Sequence, residues 1–171
     1  MSAKYFDIGA NLTDGVFTGI YRGKEKHPND WDAIMKRADD IGMCGYLVTG
    51  GTLDDSHDAL KIAKTVKNGF STCGVHPTRC NAFEESGDAE GYYEKLQTFA
   101  ADNDLVKAIG ECGLDYDRLH FCPAETQKIW FERQLKLSHD TQKPLFLHMR
   151  AATKERMLLR NLQMYNYKKW L

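Results

Sequence analysis

An alternation of two periodicities constrains this chain more than any other feature of its sequence. The short apolar run Tyr5-Phe6-Asp7-Ile8-Gly9 reads as a strand. From Asp30 the pattern turns helical, with Trp31, Ile34, Met35, Ala38 and Ile41 on one face and Gly42 as the stop. Residues 45–49 form the next strand, closed by Gly50-Gly51. The next helix runs from Asp54 to Asn68, with Ala59, Ile62, Ala63 and Val66 inward and Asp54 or Ser56 as a cap. Residues 70–75 and 105–110 read as further strands. Tyr92, Leu96, Phe99 and Ala100 mark the helix between them. A helix over 125–141, with Pro123 near its first turn, and a strand over 144–148 complete the series.

Strands alternating with helices specify βαβ units and a parallel sheet. The unit recurs about every 35 residues, the spacing of a (β/α)8 barrel, which needs about 250 residues. A doubly wound sheet is the rival, but no GxGxxG follows the first strand and no GxxxxGK[ST] occurs. The sequence therefore predicts an α/β chain: the N-terminal part of a TIM barrel, incomplete, with about five parallel strands and intervening helices. At 171 residues there is material for one domain with a sizeable core. Lys+Arg 23 against Asp+Glu 24 excludes a strongly basic nucleic-acid-binding chain, though not an enzyme that contacts a few phosphates. No apolar run approaches a membrane span. Met1–Tyr5 leads straight into the first strand, so no signal peptide is expected. The five cysteines are odd in number and lack CxxC spacing, which predicts reduced, buried thiols in an intracellular protein of the nucleus or cytoplasm.

Parallel α/β folds gather reactive groups at the C-terminal ends of their strands. Those ends carry Asp7 and Asn11, His76, Glu111, and His148 with Arg150. Carboxylate and imidazole together suit Mg²⁺, Mn²⁺ or Zn²⁺. Each residue also has a plainer reading. His76 or His148 alone is more often a hydrogen-bonded structural group than a ligand. Asp7 can cap a loop, Asp115 can be a turn residue, and Arg150 is either a solvated charge or a phosphate clamp. Glu111, aimed into a barrel mouth, is costly unless paired or metal-bound. Histidines 27, 57, 120 and 139 fall in loops or on helices, where solvation is the default, and Cys112 reads as packing.

Four ordered motifs resemble one family: Phe6-Asp7-Ile8-Gly9-Ala10-Asn11-Leu12-Thr13, Gly74-Val75-His76-Pro77, Ile109-Gly110-Glu111-Cys112-Gly113-Leu114-Asp115-Tyr116 and Leu145-Phe146-Leu147-His148-Met149-Arg150. They are similar to the TatD metal-dependent deoxyribonucleases, most nearly the eukaryotic members. Gln127, Phe131, Gln134 and Leu135 fit the helix that follows the family's Glu strand. The resemblance implies a barrel metallohydrolase that cuts phosphodiester bonds in DNA with a divalent cation. It implies Glu111 as a catalytic, metal-bridging carboxylate and His148 as a metal ligand. His76, Arg150 and Asn11 are implied on the substrate side, and Asp7 as a catalytic carboxylate. Asp7 and Asn11 stand where many relatives carry Asp-x-His-x-His, and here Gly9 and Asn11 replace the histidines.

The family's sixth-strand His and eighth-strand Glu-Thr-Asp-x-Pro are not found in this sequence. Residues 1–150 are therefore expected to form a partial barrel, truncated after about residue 150, and 151–171 a divergent basic tail. The tail reads as a basic amphipathic helix or the product of alternative splicing or a shifted frame. A DNA-binding arm is the sharper reading, since aromatic and basic residues interleave there. The alternative function is a catalytically inactive variant that binds or does nothing.

Overall fold

The computed structural model describes residues 4–152. The expectations for the tail therefore fall, apart from its first two residues, outside the described part of the chain. The elements run β1 (Tyr5–Ala10), β2 (Ile20–Tyr21), β3 (Lys24–Glu25), α1 (Trp31–Asp40), β4 (Met43–Val48), α2 (Leu53–Ala63), β5 (Gly69–Cys73), α3 (Asn81–Glu85), α4 (Ala89–Asp102), β6 (Val106–Asp115), α5 (Ala124–Thr141) and β7 (Leu145–Arg150). The main sheet has the order β1-β4-β5-β6-β7, and every pairing in it is parallel. This is the expected curled half-barrel, built from successive neighbouring strands.

The helices pack where their apolar faces demand. In α5 the buried positions 127, 130, 131, 134, 137 and 138 repeat at helical spacing. Trp130 of α5 stacks on Phe83 of α3 at 3.8 Å and 5°, and Val75, Leu96, Val106 and Ile109 close the largest core cluster around them. Thr52 caps α2 by accepting the Asp55 N–H at 3.1 Å, in place of the expected Asp54 or Ser56, and the helix ends at Ala63, short of Asn68. Two elements were not expected. The β2–β3 hairpin turns on Arg22 (φ 50°) and Gly23 (φ 71°), and α3 follows a 3-10 turn at Pro77–Arg79.

The strand that carries Glu111 is longer than the sequence indicates. β6 continues five residues past Gly110, to Asp115. Gly110 and Gly113, of a residue type that weakens strands, are contact points for β7. Both have positive φ, 146° and 142°. A Cβ would lie 2.2 Å from the Phe146 carbonyl oxygen at Gly110, and 2.0 Å from that of His148 at Gly113. Ala152, just past the expected domain edge at 150, is buried with Cys112, Leu114 and Phe131. All five cysteines are free.

Candidate metal centre

The site is built on backbone before side chains. Glu111 and Asp115 are four residues apart on β6, so the pleat turns both to one face, with Gly113 between them. His148 pairs with Gly113 in register and therefore joins that face. His76 follows β5, and Gly74, just past the end of that strand, allows the backbone of β6 to approach; a Cβ there would meet the Gly110 Cα at 2.6 Å. The loop after β4 ties the two strands together. Gly50 O accepts the Glu111 N–H at 2.9 Å, and Gly51 O accepts the His76 N–H at 3.0 Å.

Helix α5 secures the same strand ends with two wholly buried glutamines. Gln134 accepts the Val75 N–H at 2.7 Å and donates to Val75 O at 3.1 Å. Gln127 accepts the Asp115 N–H at 2.7 Å and donates to Asp115 O at 3.1 Å and Cys122 O at 2.8 Å. Seven residues, about two helical turns, separate the two, so one helix face clamps both loops.

On this frame four side chains converge. His148 Nδ1 lies 2.9 Å from Glu111 Oε1, and its Nε2 lies 3.0 Å from Asp115 Oδ2. His76 Nε2 lies 3.2 Å from His148 Nδ1 and 3.9 Å from Glu111 Oε1. The other nitrogen of His76, Nδ1, lies 2.7 Å from Thr78 Oγ1, so Nε2 faces the cluster and can serve as a ligand when the ring proton sits on Nδ1. Burial pushes His76 down to about 4, against the opposing pull of Glu111, so its imidazole is neutral at neutral pH. The Glu111 bond raises His148, and the same bond holds the Glu111 carboxyl below its ordinary range. Asp115 is fully buried, and a buried carboxylate needs a compensating charge. One donor atom each from His76, Asp115 and His148 lies within 4.8 Å of the others. One carboxylate and two imidazoles at this spacing fit a divalent ion, with Glu111 beside them, 2.9 Å from His148.

The cluster opens into a cleft of about 520 Å³, lined by Asn11, Thr78, Arg79, Glu111 and Arg118 among others. Of the residues singled out in the sequence, His76, Glu111 and His148 meet, and Asn11 lines the same cleft. Arg150 pairs in register with Asp115; it is exposed at the strand end and lies near enough to help hold Glu111 down. Asp7 stands apart from the cluster. It lies in the first half of β1, and its Oδ1 accepts the Gly9 N–H at 2.9 Å. At Gly9 a Cβ would press on the Phe146 ring at 3.1 Å, so a larger side chain there requires that ring to shift. Asp115, read as equally a turn residue, belongs to the cluster. Its four-residue spacing from Glu111 was the signal, hidden by the assumption that the strand stops at Gly110.

Comparison with known proteins gives the family and supports the fold. The profile of the TatD related DNase family matches residues 6–169. A "Deoxyribonuclease Tat-D" of Schizosaccharomyces pombe is 45% identical over 155 residues, covering 88% of this chain and 50% of the relative. A "3'-5' ssDNA/RNA exonuclease TatD" of Escherichia coli is 36% identical over 154 residues, covering 90% and 53%. Among solved structures, an uncharacterized amidohydrolase from Saccharomyces cerevisiae superposes with a TM-score of 0.84 at 35% identity, covering 97% of this chain and 54% of that one. A TatD family hydrolase from Entamoeba histolytica gives 0.83 at 36%, covering 97% and 56%. The chain thus spans about half the length of the curated relatives it matches. With the half-barrel, the strand-end cluster and the profile match in agreement, the chain belongs to the TatD related DNase family.

Proposed function

We propose that this chain provides the metal-binding half of a hydrolase that cleaves phosphodiester bonds in DNA. The observation that carries the reading is His148 held between Glu111 and Asp115, with His76 as the fourth donor, at the mouth of a polar cleft. His76, Glu111, Asp115 and His148 would hold the ion, with Mg²⁺, Mn²⁺ and Zn²⁺ as candidates. When bound, such an ion acidifies a water and polarises a phosphoryl oxygen. The chain's residues supply the rest. Asn11 and Thr78 offer hydrogen bonds within the cleft, Arg150 adds positive potential near Glu111, and the fixed carbonyls of Gly50 and Gly51 prevent Glu111 and His76 from drifting. The unit that does this is the partial barrel over residues 1–150, to which the buried Ala152 adds. Five free thiols fit a reducing compartment, the nucleus or cytoplasm. No described helix is long and apolar enough to cross a membrane.

The test is digestion of end-labelled DNA by the purified chain, stripped with chelator and then resupplied with each ion. We expect slow, metal-dependent cleavage, well below that of a relative of twice the length, and its loss in Glu111→Ala and His148→Ala. Cleavage that survives both substitutions would refute the assignment. A second reading, metal and DNA binding without turnover, is favoured by Phe146 filling the space beside Gly9. It predicts ion binding in the same preparation and no cleavage with any metal.

A further inference from the structure

We infer that Arg118 grips the substrate phosphate beside the metal cluster, as a preset binding residue. This deepens the nuclease reading and rests on it. Three arginines stand near the cluster and are not equivalent. Arg79 lines the cleft, but its guanidinium is paired with Asp55 and its charge is already matched. Arg150 is exposed at the end of β7 and is not among the residues lining the cleft. Arg118 lines the cleft, and its only ion-pair partner among the described residues is Asp115, reached by Nε at 3.9 Å. The two terminal amino groups of its guanidinium have no partner among those residues, leaving the fork that binds phosphate oxygens in pairs.

The position of Arg118 is fixed by the same atoms that build the cluster. It ends the 3-10 turn Tyr116–Arg118. Asp115 caps that turn, its Oδ1 accepting the Asp117 N–H at 3.2 Å while its Oδ2 faces His148. Gln127 then holds the loop at both ends, through the Asp115 backbone and Cys122 O, and Asn81 Nδ2 donates to Phe121 O at 2.9 Å. One carboxylate thus sets the turn that places the arginine and faces the histidine of the cluster. That arrangement suits a single anionic group touching both, which is what a phosphodiester is.

The experiment measures binding of a cleavage-resistant phosphorothioate oligothymidylate to the full chain in Mn²⁺, across a series of salt concentrations. The variants are Arg118→Gln, Arg118→Lys and, as a control on an outer helix, Arg37→Gln. We expect Arg118→Gln to bind roughly tenfold more weakly, the loss of a charged hydrogen-bonded contact. Its slope of log affinity against log salt should flatten by about 0.7, one phosphate contact on a single strand. Arg118→Lys should restore the slope but not the full affinity, and Arg37→Gln should change neither. Affinity for Mn²⁺ alone should hold in Arg118→Gln, since Arg118 is not a ligand and reaches Asp115 only at 3.9 Å. An unchanged slope in Arg118→Gln overturns the assignment. So does lost Mn²⁺ affinity with the slope intact, because Arg118 would then act only through Asp115. A wild-type chain that binds no oligonucleotide overturns the nuclease reading and this assignment together.

Discussion

At the scale of single residues, two carboxylates that the sequence leaves equally ambiguous separate cleanly in the fold. Asp115 is fully buried, 3.0 Å from His148 Nε2, whereas Asp7 Oδ1 accepts the Gly9 N–H of its own strand. Replacing Asp115 with Asn keeps its shape and removes the charge that a buried ion needs. Asp115→Asn should therefore weaken Mn²⁺ binding by at least about tenfold, while Asp7→Asn changes it little; calorimetric titration decides. A chain in which Asp7→Asn, not Asp115→Asn, loses the ion would put Asp7 at the ion and remove Asp115 from it. Gly113 makes the complementary case. Its φ of 142° and the 2.0 Å approach of the His148 carbonyl leave no room for a methyl group. Gly113→Ala should cost about 1–3 kcal/mol in backbone strain alone, and more where β7 must move. Thermal unfolding and metal titration on that variant should fall together, because the atom displaced belongs to the backbone of the histidine ligand.

At the scale of elements, α5 does more than cover the sheet. Gln134 satisfies both backbone groups of Val75 from inside the core, one residue before His76. Gln134→Leu nearly preserves volume and orphans both groups, each costing about 1–3 kcal/mol. Against a typical total of about 5–15 kcal/mol, a clear drop in the denaturant midpoint is expected. Gln127→Leu should show the same at the Asp115 end. A midpoint unmoved in both would mean that water replaces the clamps without loss. The helix itself was legible in the sequence, because a pattern lasting eighteen residues is hard to mistake. So were all five sheet strands, since each is a concentrated apolar run. The two-residue strands β2 and β3 carry no alternation to read, and the five residues of α3 carry barely one helical turn. The end of β6 was hidden for a different reason. Gly110 and Gly113 carry a breaker's identity, and only the approach of β7 shows why a strand requires them. His76, Glu111 and His148 were legible because strand ends collect chemistry in this architecture. Arg118 was not, because a turn arginine looks solvated until the cleft is seen.

At the scale of the whole molecule, the sheet has two edge strands with one neighbour each among the described residues. Among the described residues β1 pairs only with β4, and β7 only with β6. A closed barrel would cover both edges. Here Tyr5, Phe6 and Ile8 on β1 are 51%, 43% and 67% exposed, and Leu147 on β7 is 43% exposed. An exposed apolar edge with free N–H and C=O groups is a template for a second chain, and natural proteins guard such edges with charges, above all lysine. Neither Tyr5–Ala10 nor Leu145–Arg150 offers more than a single basic residue, Arg150, and it stands at the end of its strand. The chain should therefore self-associate as its concentration rises, through these edges and not through the charged outer helices. Ile8→Lys places a guard where the side chain is already two-thirds exposed, so it should shift sedimentation toward monomer without lowering the unfolding temperature. Lys36→Ala, which removes an exposed partner of Asp40 on the outer helix α1, should leave sedimentation unchanged. A wild-type chain that sediments as a monomer at every concentration would show that its edges need no partner strand. Association that Ile8→Lys does not weaken would place the contact away from β1.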